Sequence, residues 1–134
     1  MLDPYGALIC TMVIVSAADS NMTDAELAII GEIVGHLPVF RDFDRDTLPS
    51  VLESCSQLLS RDDGLAEAFA EIKKALPTNL RETAYALACD VAAADGKAAQ
   101  EELRVLELMR HRLNIDRLIA AGIERGARAR FQTL

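Results

Sequence analysis

Tryptophan is absent from the chain and aromatic residues make up only 4% of it, so the core cannot be built from large rings. Alanine and leucine dominate instead, which favours close-packed helices. Histidine occurs only twice, as His36 and His111. No serine or cysteine stands in a nucleophile motif, and no glycine-rich phosphate loop is present. Catalysis is therefore not expected. The catalytic alternative left open is metal-dependent hydrolysis of phosphate esters by a carboxylate cluster. Three widely spaced cysteines, Cys10, Cys55 and Cys89, contain no CxxC pair. Their odd number argues against a disulfide framework and against a zinc site, and predicts three buried structural thiols. No apolar run reaches the ~18 residues of a membrane span, and the start Met1-Leu2-Asp3-Pro4 lacks the basic head of a signal peptide. The expectation is a soluble, cytoplasmic protein.

What is present is globular composition: 134 residues, 51% apolar and 26% charged, the size and balance of a single domain covering residues 1–134. The net charge of −7 is unevenly spread. Residues 1–103 carry 18 acidic and 7 basic side chains, whereas residues 104–134 carry 7 arginines against 3 acids. An acidic body repels phosphates, which excludes nucleic acid as a partner of the bulk of the domain.

No segment alternates apolar and polar residues with period two, so the fold class is all-α, with about seven helices. Pro4 to Ala18 reads as a buried central helix capped by Asp3. Thr23 and Glu26 form a capping box opening a second helix, whose stripe Leu27, Ile30, Val34 and Leu37 stops at Pro38. An acidic connector, Asp42-Phe43-Asp44-Arg45-Asp46, leads to a third helix ending near Ser60. Asp62-Asp63-Gly64 turns into a fourth, closed by Pro77. The fifth runs from about Asn79 to Ala94 and the sixth from the turn at Gly96 to Leu113. The seventh is capped by Asp116 and runs to about Ala127, with residues 128–134 frayed.

The chain repeats itself. Ser16-Ala17-Ala18-Asp19-Ser20-Asn21-Met22-Thr23-Asp24-Ala25-Glu26-Leu27 aligns without gaps with Ala92-Ala93-Ala94-Asp95-Gly96-Lys97-Ala98-Ala99-Gln100-Glu101-Glu102-Leu103 at an offset of 76 residues. Each copy places an Asp in a turn and a Glu seven residues later. Helices one and two therefore match helices five and six, as two pseudo-symmetric helix–turn–helix halves. If both turns lie at one end of the bundle, Asp19, Glu26, Asp95 and Glu102 converge. Four close carboxylates repel by several kcal/mol at moderate dielectric, and a cation relieves that. Oxygen ligands without His or Cys suit a hard divalent ion, Ca²⁺, Mg²⁺ or Mn²⁺. Asp90, five residues before Asp95, adds another oxygen. The turns are not EF-hand loops: counted from Asp19, Thr23 stands at position 5 and Asp24 at position 6, where Gly is needed, and counted from Asp95, Lys97 and Ala99 stand at positions 3 and 5, where oxygen ligands are needed. The bland explanation also stands: Glu26 serves its capping box, Glu101 and Glu102 favour a helix N-terminus, and Asp19 and Asp95 are ordinary turn residues.

The Ala-Ala-Asp-Gly turn followed by Glu102 resembles the TerB family, named for tellurite resistance, and a related domain preceding the J domain in DjlA-type co-chaperones. The first turn departs from the pattern with Ser20 in place of Gly, and Ile14 is the counterpart of Asp90. The resemblance implies an all-helical domain with an acidic, metal-binding surface. It implies a role in cytoplasmic stress and tellurite resistance, within protein complexes near the membrane. A non-catalytic cation-binding or sensing module is the expectation. The alternative is a metal-independent scaffold whose acidic patch docks a protein partner. Arg125-Gly126-Ala127-Arg128-Ala129-Arg130 could dock on the acidic end of a neighbouring copy, giving a homodimer.

Overall fold

The computed structural model describes residues 2–18, 22–94, 96 and 99–134. Among them there are seven α-helices and no strand: α1 (Pro4–Ser16), α2 (Asp24–His36), α3 (Leu48–Leu59), α4 (Gly64–Ala75), α5 (Thr78–Ala93), α6 (Gln100–Arg112) and α7 (Arg117–Arg130). Short 3-10 turns at Pro38–Phe40 and Arg45–Thr47 lie between α2 and α3.

Helix α1 is apolar on every side and sits at the centre, with Gly6 through Ser16 all buried. The Asp3 carboxylate caps it by accepting from the Gly6 backbone N–H at 2.6 Å. The Thr11 hydroxyl is kept inside by donating to the Ala7 carbonyl at 2.8 Å. Helix α5 is the main neighbour of α1, and its small residues Ala84, Ala88 and Ala92 let the two backbones approach. The outer contacts exchange across this pair: α1 also packs on α6 and α5 also packs on α2. The two repeated units are thus interlocked, each central helix touching the outer helix of the other half. Helices α3 and α4 cover the other side of α1. The start of α1 is held against the α2–α3 connection by a ring cluster, with Tyr5 6.1 Å from Phe40 and 5.2 Å from Phe43.

The sequence expectations change in four places. Cys10 and Cys55 form a disulfide rather than two thiols: α1 and α3 bring their Cα atoms to 5.6 Å, within the span a disulfide needs. Only Cys89 is a free, buried cysteine. Leu27 and Leu37 do not belong to the buried stripe of α2, being 46% and 36% exposed; Ile30, Ile33 and Val34 form it. The acidic connector ends in a 3-10 turn, in which the Asp44 carboxylate accepts from the Asp46 N–H at 3.0 Å. Finally, residues 128–130 are helical, because α7 lies along α5 and Arg130 reaches Asp90 there. The left-handed positions fall as expected at Gly96 (φ 81°) and Asn114 (φ 60°). No helix of the described residues is long and apolar enough to cross a membrane.

Candidate functional site

The repeated unit ends its first helix in a turn and starts its second with an acidic residue at the third helical position. In α2, Thr23 and Glu26 make the expected reciprocal pair. The Thr23 hydroxyl accepts from the Glu26 N–H at 3.1 Å, and the Glu26 carboxylate accepts from the Thr23 N–H at 2.9 Å. In α6 the second bond recurs at the same length, from the Ala99 N–H to the Glu102 carboxylate. Ala99 has no side-chain oxygen to return the first. Half of the capping box is therefore gone from the second copy, yet its glutamate keeps its place.

Both glutamates are inside. Glu26 and Glu102 are each 2% exposed and are the two buried acidic residues among the described part of the chain. The leucine that follows each one, Leu27 or Leu103, is 46% or 50% exposed. At the first turn of each outer helix the carboxylate thus points in and the alkyl group out, against the hydrophobic ordering. A capping box needs no such burial, since its bond is made at a helix surface. One more polar group is buried at the end of the first central helix. The Ser16 hydroxyl is fully enclosed, and its oxygen has no hydrogen-bond partner among the described residues.

Asp90 lies on α5, with its side chain 18% exposed, and is ion-paired with Arg130 of α7. Asp19 and Asp95 lie outside the described residues. Among the described residues alone, no three of His, Cys, Asp and Glu group closely enough to hold a metal ion. The histidines stand at the ends of α2 and α6. His36 Nδ1 is 2.9 Å from the Glu32 carbonyl oxygen, one turn back, and His111 Nε2 is 3.0 Å from the Arg110 guanidinium.

The sequence reading missed a second set of groups. Tyr85 and Cys89, one turn apart on α5, face α7, and the Tyr85 hydroxyl donates to Glu124 at 2.5 Å. Burial, followed by the Glu124 contact, pushes the Tyr85 hydroxyl above its ordinary range. Burial first, and the Glu124 charge next, push the Cys89 thiol up to about 12. Such a thiol is a poor nucleophile at neutral pH. The spacing of Tyr85 and Cys89 was visible; their partner, 39 residues downstream, was not.

No curated protein and no solved structure matches the chain. The family model described as tellurite resistance protein TerB matches residues 6–122. That span includes both Asp–Glu turns, both buried glutamates, the whole of α2 to α6 and most of α1. The chain belongs to the TerB family.

Proposed function

We propose that this chain is a non-catalytic module of tellurite resistance that binds or senses a divalent cation at its two Asp–Glu turns. Ca²⁺, Mg²⁺ and Mn²⁺ are the candidate ions. The observation that carries the reading is the matched burial of Glu26 and Glu102. A carboxylate enclosed at 2% exposure is costly unless its charge is compensated. The burial recurs at equivalent places in the two repeated units. The donor chemistry fits a hard ion: Asp19, Glu26, Asp95 and Glu102 supply oxygen only. The buried Ser16 hydroxyl, in the run-up to the Asp19 turn, adds an oxygen that no group of the described chain satisfies. Asp90 contributes if Arg130 leaves it an oxygen.

When bound, the ion supplies positive charge that offsets carboxylate repulsion. The chain's own part is geometric. Glu26 is fixed by the Thr23 N–H and Glu102 by the Ala99 N–H, so each carboxylate is tied to the start of its outer helix. Drawing the two turns to one centre sets the angle between the halves, and with it the surface presented to a partner.

Calorimetric titration of chelator-treated protein with Ca²⁺, Mg²⁺ and Mn²⁺, alongside melting temperature, tests the reading. We expect saturable binding of about one ion per chain and a raised Tm, since about 2.7 kcal/mol of stabilisation accompanies saturation at 100 times Kd. Asp95→Ala with Glu102→Gln should lower affinity at least tenfold while the fold survives, because glutamine keeps an acceptor for the Ala99 N–H. Flat titrations with all three ions would end the metal reading.

A second reading draws on a different observation. Leu27 and Leu103 are exposed beside acidic first turns, an arrangement suited to a protein partner with basic and apolar side chains. Association that depends on salt and on Leu103, but not on chelator, would favour this metal-independent scaffold.

A further inference from the structure

Helices α6 and α7 both lie against α5 rather than against each other, and the space between them is a cleft of about 540 Å³. That volume is in the range of small-molecule sites, about 300–1,000 Å³. Its floor is apolar and fully enclosed: Ala92 of α5, Leu106 of α6, and Ala120 and Ala127 of α7 are all 8% exposed or less. Phe131 closes the far end. Small side chains on α5 and α7 leave the cleft open where larger ones would fill it.

The lining charge is arranged along the cleft. Arg110 in the last turn of α6 and Arg117 at the start of α7 flank the short connection between these helices, so both stand at the same end. Arg128 lines the opposite end of α7. Two carboxylates share the lining. Glu124 is engaged by the Tyr85 hydroxyl at 2.5 Å. Glu107 lies one turn before Arg110, the spacing at which a glutamate and an arginine on one helix face are neighbours. Three arginines against two acids make this a basic mouth on a chain whose net charge is −7.

We propose that the α5–α6–α7 cleft binds a monomeric, single-chain anionic amphiphile. Its carboxylate or phosphate head sits on Arg110 and Arg117, and its apolar chain runs along Leu106, Ala120 and Ala127 towards Phe131. Arginine suits such a head because its planar fork meets two oxygens at once. The ligand's own apolar chain supplies affinity through the area it withdraws from water on entering the cleft. The cleft lies apart from Glu26 and from the α2 turn but reaches Gly96 and Leu103, beside Asp95 and Glu102, so amphiphile binding is read in chelator-treated protein, where it is separate from the cation reading.

The test is displacement of the anionic fluorophore anilinonaphthalene sulfonate by sodium dodecanoate and dodecyl phosphate below their micellar concentrations. Saturable one-to-one binding is expected. Ala121→Trp, at an exposed lining position, should weaken it at least tenfold by filling the cleft. Arg110→Glu with Arg117→Glu should weaken dodecanoate at least tenfold while changing decanol binding less than twofold. Amide shifts of the unmodified protein should move on α5, α6 and α7 and not on α3 and α4. Three outcomes would overturn the proposal: shifts elsewhere, affinity unchanged in variants that keep the parent Tm, or association confined to phosphatidylglycerol vesicles with none to the monomeric probes.

Discussion

At the scale of single residues, composition hides two positions that geometry makes essential. Gly64 opens α4 directly after the end of α3. A Cβ there would stand 2.4 Å from the Leu58 carbonyl oxygen and 2.7 Å from that of Leu59. Both obstacles are backbone, so neither can swing aside. Gly64→Ala should cost about 1–3 kcal/mol, read as a lowered urea midpoint with an unchanged slope; an unshifted midpoint would show that the α3–α4 corner yields freely. The other position is Glu102. Its acidic character reads as ordinary helix-start chemistry, and the capping signal at Thr23 and Glu26 was legible down to the individual hydrogen bond. The burial of both glutamates was not legible, because a leucine follows each one and a hydrophobic pattern assigns the inside to the leucine. That inversion is what separates a cap from a candidate ligand.

At the scale of elements, most of the architecture could be read directly. The featureless apolar run of residues 5–18 announced a central helix, Asn114 and Gly96 marked helix ends, and the repeat paired α1–α2 with α5–α6. The end of α7 could not be read, because residues 128–130 owe their helical state to α5. Asp90 and Arg130 pair across 40 residues, and no local propensity records such a contact. The α5–α7 contact also carries a pH signature. Cys89 and Tyr85 are both held in their neutral forms in the folded protein. Below the thiol's ordinary value of 9.0 the folded and unfolded chains are equally protonated there. Above it the unfolded thiol ionises, while the folded one keeps its proton to about 12. Stability is therefore present below pH 9 and lost across the window from 9 to 12. The loss from Cys89 is about 1 kcal/mol by pH 10. Urea midpoints at pH 8 and pH 10 should differ accordingly, and Cys89→Ala should flatten the difference. Equal midpoints for the parent protein would mean that the α5–α7 contact opens to solvent.

At the scale of the whole molecule, the disulfide is the largest departure from the sequence reading. An odd cysteine count and a 45-residue separation gave no hint of it; only the packing of α1 on α3 reveals which two sulfurs meet. Under denaturing, non-reducing conditions a thiol titration should find one reactive group per chain, that of Cys89, and three after reduction. Reduction should cost up to about 4 kcal/mol in the loop-entropy treatment. Three thiols without reductant would show that the bond does not persist in solution. The bond also bears on where the protein works, because a buried disulfide persists most readily outside reducing compartments.

The same bond makes the two repeated units topologically unequal. The covalent ring closed between Cys10 and Cys55 contains Asp19, Glu26 and the whole of α2. Asp95, Glu102 and α6 lie beyond it, on an open arm that finishes with α7. Two units alike in sequence thus differ in mechanical freedom: one is a closed hoop, the other a lever anchored at one end. The second unit is held to the first by packing alone, through α6 on α1 and α4 and through α5 on α1 and α2.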